Sequence, residues 1–100
     1  MQKIEDHLFI QGQSGKLEVI VINPQNRTKE LSEVVAIICH PHPLHQGTMQ
    51  NKVVTTIAKT FSRANITNIR FNYRGVGKSE GEYGNYDGEI EDCLSIIKWA

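Results

Sequence analysis

Hydrophobic and polar positions change rhythm several times along this chain, and each change marks an element. His7–Ile10 is a short apolar patch, a candidate strand. Gly12-Gln-Ser-Gly15 then carries turn chemistry, and Lys16–Asn23 is rich in Leu, Val and Ile, which reads as a strand able to pair back as a hairpin. Pro24 to Glu33 is polar. Val34–Cys39 is continuously apolar, the pattern of a strand covered on both faces. From Met49 the period becomes helical. Met49, Val53, Val54, Ile57, Ala58, Phe61 and Ala64 recur on one face, Thr48 is the expected N-cap, and Asn65 is the expected C-terminal stop. Ile66–Tyr73 reads as the next strand and the glycine-rich stretch Arg74–Gly88 as a loop. Glu89–Ala100 reads as a second helix with Ile90, Cys93, Leu94, Ile97 and Ala100 on its apolar face. Asp87, Glu89, Glu91 and Asp92 favour the positive end of its dipole. The order β-β-β-α-β-α places an α/β fold here, mostly parallel after an initial antiparallel hairpin. Val34 to Tyr73 forms a right-handed crossover between parallel strands.

Composition narrows the role. One hundred residues make one small domain, and the last helix is still running at Ala100, so the sequence reads as a partial domain cut within that helix. Eleven basic residues balance eleven acidic ones, which argues against nucleic acid as a partner. No apolar run approaches the roughly 20 residues of a bilayer span, and acids stand where a signal peptide has its apolar core. A cytoplasmic protein without a membrane partner is the expectation. Cys39 ends an apolar run and Cys93 lies on a helix face, so both read as free core cysteines.

The chemistry gathers where the apolar run ends, in Ala36–Lys52. His40, His42 and His45 have the spacing H-x-H-x-x-H after a strand, which resembles the zinc loop of the metallo-β-lactamase fold. Leu44 stands where that loop has an aspartate ligand, and no histidine follows His45. Gly77-Lys78-Ser79 looks like the end of a phosphate-binding loop, but the next residues do not start a helix. Gly77-Lys78-Ser79-Glu80-Gly81 also matches G-x-S-x-G. A nucleophile elbow needs its serine on a sharp turn directly between strand and helix, and Ser79 lies six residues beyond Tyr73, so it reads as a loop serine.

Two stretches together carry a more specific resemblance. Cys39-His-Pro-His-Pro-Leu-His-Gln-Gly-Thr-Met49 and Phe71-Asn-Tyr-Arg-Gly-Val-Gly-Lys-Ser-Glu-Gly81 resemble the C-H-P-H-P-L-x-G-G-T-M and F-N-[FY]-R-x-V-G-x-S-x-G loops of small cytosolic α/β-hydrolases. Gln46 departs from the first glycine of the usual pair. The resemblance implies the N-terminal half of an α/β-hydrolase sheet, whose nucleophile, acid and base come later. It implies a small ester or related acyl compound as substrate, with no cofactor and no metal.

Within that reading, an oxyanion hole needs backbone N–H groups aimed at developing charge, one of them from the loop after the third strand. Pro41 and Pro43 have no N–H, which leaves His42 as the donor and Leu44 as the lesser candidate. His40 is expected to brace the loop rather than act as a base. Arg74, with the Gly75/Gly77 turn, is expected to support the neighbouring loop by bonds to backbone carbonyls. The alternatives are a non-catalytic binding or assembly module and, third, a zinc-dependent hydrolase through His40, His42 and His45. Exposed edges and helix faces are expected to make the chain prone to self-association.

Overall fold

The structure, a computed structural model, describes residues 3–25, 28–40 and 47–100. Four strands, β1 (Lys3–Gly12), β2 (Gly15–Pro24), β3 (Val35–Ile38) and β4 (Thr67–Phe71), form one sheet in the order β1-β2-β4-β3. Helix α1 (Lys52–Arg63) connects β3 to β4, and α2 (Asp87–Trp99) comes after β4. A short 3-10 turn at Leu31–Glu33 precedes β3.

The first strand is longer than its apolar patch. All ten residues of β1 pair antiparallel with β2, from Lys3 opposite Pro24 to Gly12 opposite Gly15. An edge strand with one solvated face is held by its backbone ladder, so polar residues between the apolar ones do not end it. β2 pairs antiparallel with β4, and β3 pairs parallel with β4, Val35 opposite Thr67 through Ile38 opposite Arg70. The crossover through α1 is therefore the expected strand–helix–strand unit.

Alternation along the strands builds two core layers. Ile10, Leu17, Val19, Val21, Ile69 and Phe71 pack on one face together with Ile96 of α2. On the opposite face Ile38 packs with Val54 and Ala58 of α1, while Ile20 and Ile22 pack with Met49. Val54, Ala58 and Ser62, one helical turn apart, are the buried stripe of α1, whereas Val53 stays exposed.

Helix α1 starts later than Thr48. Thr48 accepts the Gln50 N–H with its hydroxyl and the Asn51 N–H with its carbonyl, which closes a turn ahead of the helix. Asn51 is extended (φ −54°, ψ 138°), and its side chain caps Val53 N–H at 2.9 Å, so Asn51 is the N-cap. Asn65, at φ 62°, is the left-handed stop that its residue type suggested.

Helix α2 departs from its pattern more sharply. Ile90, Leu94 and Ile97 are exposed, and the buried positions are Gly88, Glu89, Asp92 and Ile96. The helix docks through Ile96 in the core and through Asp92, whose carboxylate neutralises a buried arginine in the loop before the helix.

Candidate active-site loop

Strands β3 and β4 end side by side, and the segments that leave them meet at the carboxyl edge of the sheet. In open α/β sheets this edge is where ligands bind. Residues 41–46, which include His42, Leu44 and His45, lie outside the described residues. The anchors on either side of them are described, and the end of β4 supplies both. The Tyr73 N–H donates to His40 Nε2 at 3.0 Å, and the Met49 N–H donates to Asn72 Oδ1 at 2.8 Å. Two consecutive residues thus hold the entry to and the exit from the segment. His40 is buried, packs edge-on against the Tyr73 ring at 4.4 Å between centroids, and accepts at Nε2. An imidazole that accepts at Nε2 is neutral and carries its proton on Nδ1. His40, the residue after Cys39, is therefore tied to the backbone just beyond β4.

Asn72 also belongs to a buried network that sequence reading missed. Its amide donates to Glu18 Oε1 at 2.8 Å, and the Lys78 N–H donates to the same oxygen at 2.8 Å. His7 Nε2 lies 2.7 Å from Glu18 Oε2. Burial pushes the Glu18 carboxyl up, but the Lys78 N–H, the Asn72 amide and His7 more than offset it and hold the pKa below its ordinary value. The one signal in the sequence was a single acid inside an otherwise apolar strand, Leu17-Glu18-Val19-Ile20.

Ser79 is sequestered by the same network. Its hydroxyl donates to the Asn72 carbonyl at 2.7 Å and accepts the Glu18 N–H at 2.8 Å, and the residue is buried. The loop is held by backbone hydrogen bonds in spite of its glycines. The Glu80 N–H donates to the Lys16 carbonyl at 2.8 Å, and the Gly75 N–H donates to the Glu80 carbonyl at 3.1 Å. Gly77, at φ 55°, sits so tightly that a Cβ there would run into the Asn72 amide and the Glu18 carboxylate. No helix begins between β4 and Asp87, so neither a phosphate-binding loop nor a nucleophile elbow is built on Lys78-Ser79.

Arg74 corrects a second expectation. Its guanidinium reaches side chains rather than backbone carbonyls. Nη2 lies 2.9 Å from Asp92 Oδ1, Nε is 3.2 Å from both carboxylate oxygens, and Nη1 donates to Ser14 Oγ at 2.8 Å. The Arg74 N–H donates to Asp92 Oδ2 at 2.8 Å. Bonding to Asp92 raises the Arg74 pKa above its ordinary value against the effect of burial. One buried side chain thereby joins the β1–β2 turn, the end of β4 and α2. Gly88 makes room for it, since a Cβ there would lie 2.8 Å from the guanidinium carbon. Glu89 fixes the start of α2 by accepting the Gly84 N–H at 2.9 Å and the Tyr86 N–H at 3.0 Å.

A cavity of about 420 Å³ opens at this edge, lined by His40, Tyr73, Tyr83, Ile90, Cys93 and Leu94 among others. Burial first, and then a hydrogen bond to Cys39, hold the Tyr73 phenol protonated well above its ordinary range. The cysteines are not core residues. Cys39, one residue past the end of the edge strand β3, is exposed, and Cys93 on α2 is half-buried against the core. Among the described residues no cluster of three or more His, Cys, Asp or Glu could hold a metal ion, and His42 and His45 of the zinc alternative are outside them. No helix of the described residues is long and apolar enough to cross a membrane.

No protein-family model matches the chain. Solved structures do. An α/β serine hydrolase homologue from Coxiella burnetii superposes with a TM-score of 0.86 at 50% identity, over 94% of this chain and 44% of that one. An α/β serine hydrolase without lid from Xanthomonas campestris superposes with a TM-score of 0.86 at 38% identity, over 95% of this chain and 43% of that one. An uncharacterized protein of Rickettsia prowazekii is 33% identical over 92 residues, which cover 92% of this chain and 37% of the relative. The chain thus spans less than half the length of each. Over that span it has the α/β-hydrolase fold.

Proposed function

Because the chain belongs by fold to the α/β-hydrolase superfamily, we propose that it supplies the oxyanion-hole half of a serine hydrolase acting on esters or related acyl compounds. The observation that carries this reading is the two-point anchorage of the segment after β3, at His40 by Tyr73 and at Met49 by Asn72. A loop that donates to a developing oxyanion must be oriented before the reaction, since reorganising it in the transition state would cancel the gain. The backbone N–H of His42 is the proposed donor, with Leu44 as the lesser candidate.

The nucleophile, acid and base come, on this proposal, from a longer protein that contains this chain. His40 Nε2 already accepts a backbone N–H and Ser79 Oγ is bonded on both sides, so neither serves as base or nucleophile. The test compares the chain alone with a longer form carrying a G-x-S-x-G serine. The longer form should label with a fluorophosphonate probe and hydrolyse a short p-nitrophenyl ester, and the chain alone should do neither. Stoichiometric labelling of the chain alone, lost in Ser79→Ala, would sink the reading.

A further inference from the structure

We propose that Cys39 and Cys93 are a peroxide-sensitive dithiol that closes to an intramolecular disulfide, tying the end of β3 to α2 one residue before His40. The two Sγ atoms lie 3.6 Å apart, across 54 residues of sequence. A disulfide is about 2.05 Å long, so the sulfurs must approach by about 1.6 Å. The local frame is already set: Asp92, next to Cys93, binds Arg74 at the end of β4, and His40, next to Cys39, binds Tyr73. Both partners of the proposed link thus sit beside fixed points of the same corner.

The two thiols differ in access. Cys39 is exposed, while Cys93 is half-buried against the cavity. Burial, and next a hydrogen bond to Cys39, push the Cys93 thiol up to about 11, so it stays protonated and is the slower partner toward an oxidant. Cys39 is therefore the thiol that reacts first. Its thiolate attacks one oxygen of a hydroperoxide, the O–O bond breaks, and a sulfenic acid forms while the other oxygen leaves as water or alcohol. Cys93 sulfur then attacks the sulfenic sulfur. The S–S bond forms, the S–O bond breaks, and the hydroxyl departs with the Cys93 proton as water. The two thiols lose two electrons and two protons in all, and the peroxide takes them up. The oxidised pair adds a covalent tie beside the Arg74–Asp92 ion pair, so the state of the dithiol sets how firmly the His40 corner is held. None of this depends on the chain being part of a hydrolase.

The test treats the chain with hydrogen peroxide, blocks remaining thiols, and digests with trypsin without reduction. The expected product is peptide 30–52 joined to peptide 79–98, about 2 Da lighter than the two reduced peptides together. It should form at least about tenfold faster in buffer than in denaturant, since the fold and not the sequence holds the sulfurs together. Cys93→Ser should trap a dimedone-reactive sulfenic acid at Cys39, and Cys39→Ser should leave Cys93 unmodified over the same time. Equal rates in buffer and denaturant would overturn the proposal. So would sulfinic acid at Cys39 with Cys93 still free, or linkage only between chains.

Discussion

Asn72 Oδ1 accepts the Met49 N–H at 2.8 Å, which links the end of β4 to the stretch where the segment after β3 rejoins the described chain. The same side chain donates to Glu18, so one amide uses both of its ends on groups from two other elements. Asn72→Ala leaves the Met49 N–H without its partner and takes from Glu18 Oε1 one of its two N–H donors, the Lys78 N–H remaining. The expected cost is about 2–4 kcal/mol in urea unfolding. Asn72→Asp should be worse at neutral pH, since it places a second carboxylate against Glu18, and should partly recover as the pH falls. A loss of stability in Asn72→Asp that is independent of pH would count against a role for charge at this position.

The pair Arg74–Asp92 sets the position of α2, with the Asp92 carboxylate fully buried. Asp92→Ala strands a buried guanidinium and should cost about 3–5 kcal/mol, read by chemical denaturation. The double variant Asp92→Leu/Arg74→Met should be more stable than Asp92→Ala alone, because it removes the stranded charge together with its partner. A double variant as unstable as the single one would mean that the pair's geometry, rather than its charge balance, holds the helix.

Stability should fall at both ends of the pH range for different reasons. The Glu18 carboxyl has a lowered pKa in the folded chain, so its contribution is fully present above its unfolded value of 4.5 and is lost as pH falls through the lower folded value. Cys93 is the opposite case. Its thiol is raised from 9.0 to about 11, so the folded state holds the proton more tightly, and the contribution is present below pH 9 and lost as pH rises toward 11. Melting curves across pH should show the acid loss reduced in Glu18→Gln and the alkaline loss reduced in Cys93→Ser.

Ser79→Ala should separate structure from chemistry. It removes the acceptor of the buried Glu18 N–H and the donor to the Asn72 carbonyl, and should cost about 1–3 kcal/mol. In the longer form it should leave fluorophosphonate labelling intact. Abolished labelling in a variant that still melts cooperatively would reassign the nucleophile.

Self-association is the expected outcome of two exposed apolar surfaces. β3 is an edge strand with Val34 and Val35 exposed, and α2 presents Ile90, Leu94 and Ile97 to solvent, with Ile90 58% exposed. The chain should elute as oligomers in light scattering. Val35→Lys on the edge and Leu94→Glu on the helix should each shift it toward monomer, and no shift in either would place the contact elsewhere.

Periodicity and turn chemistry were sufficient for the strands, the crossover helix and the stop at Asn65, because those features depend on residues near one another in sequence. They also sufficed to show that Ser79 lies on a loop, since a helix start would have had to come directly after it. What the sequence by itself could not determine was which polar groups are buried. Glu18 and Lys78 meet across 60 residues, and Arg74 and Asp92 across 18. Burial of a charge is stable only once its partner is in place, and no local pattern records a partner that distant. This is why α2 docks by Asp92 together with Ile96 while Ile90, Leu94 and Ile97 stay outside. The same holds for the cysteines. Each read as an ordinary core thiol in its own segment, and only the tertiary fold, by making β3 the edge strand and laying α2 beside its end, left Cys39 exposed and brought the two sulfurs into contact.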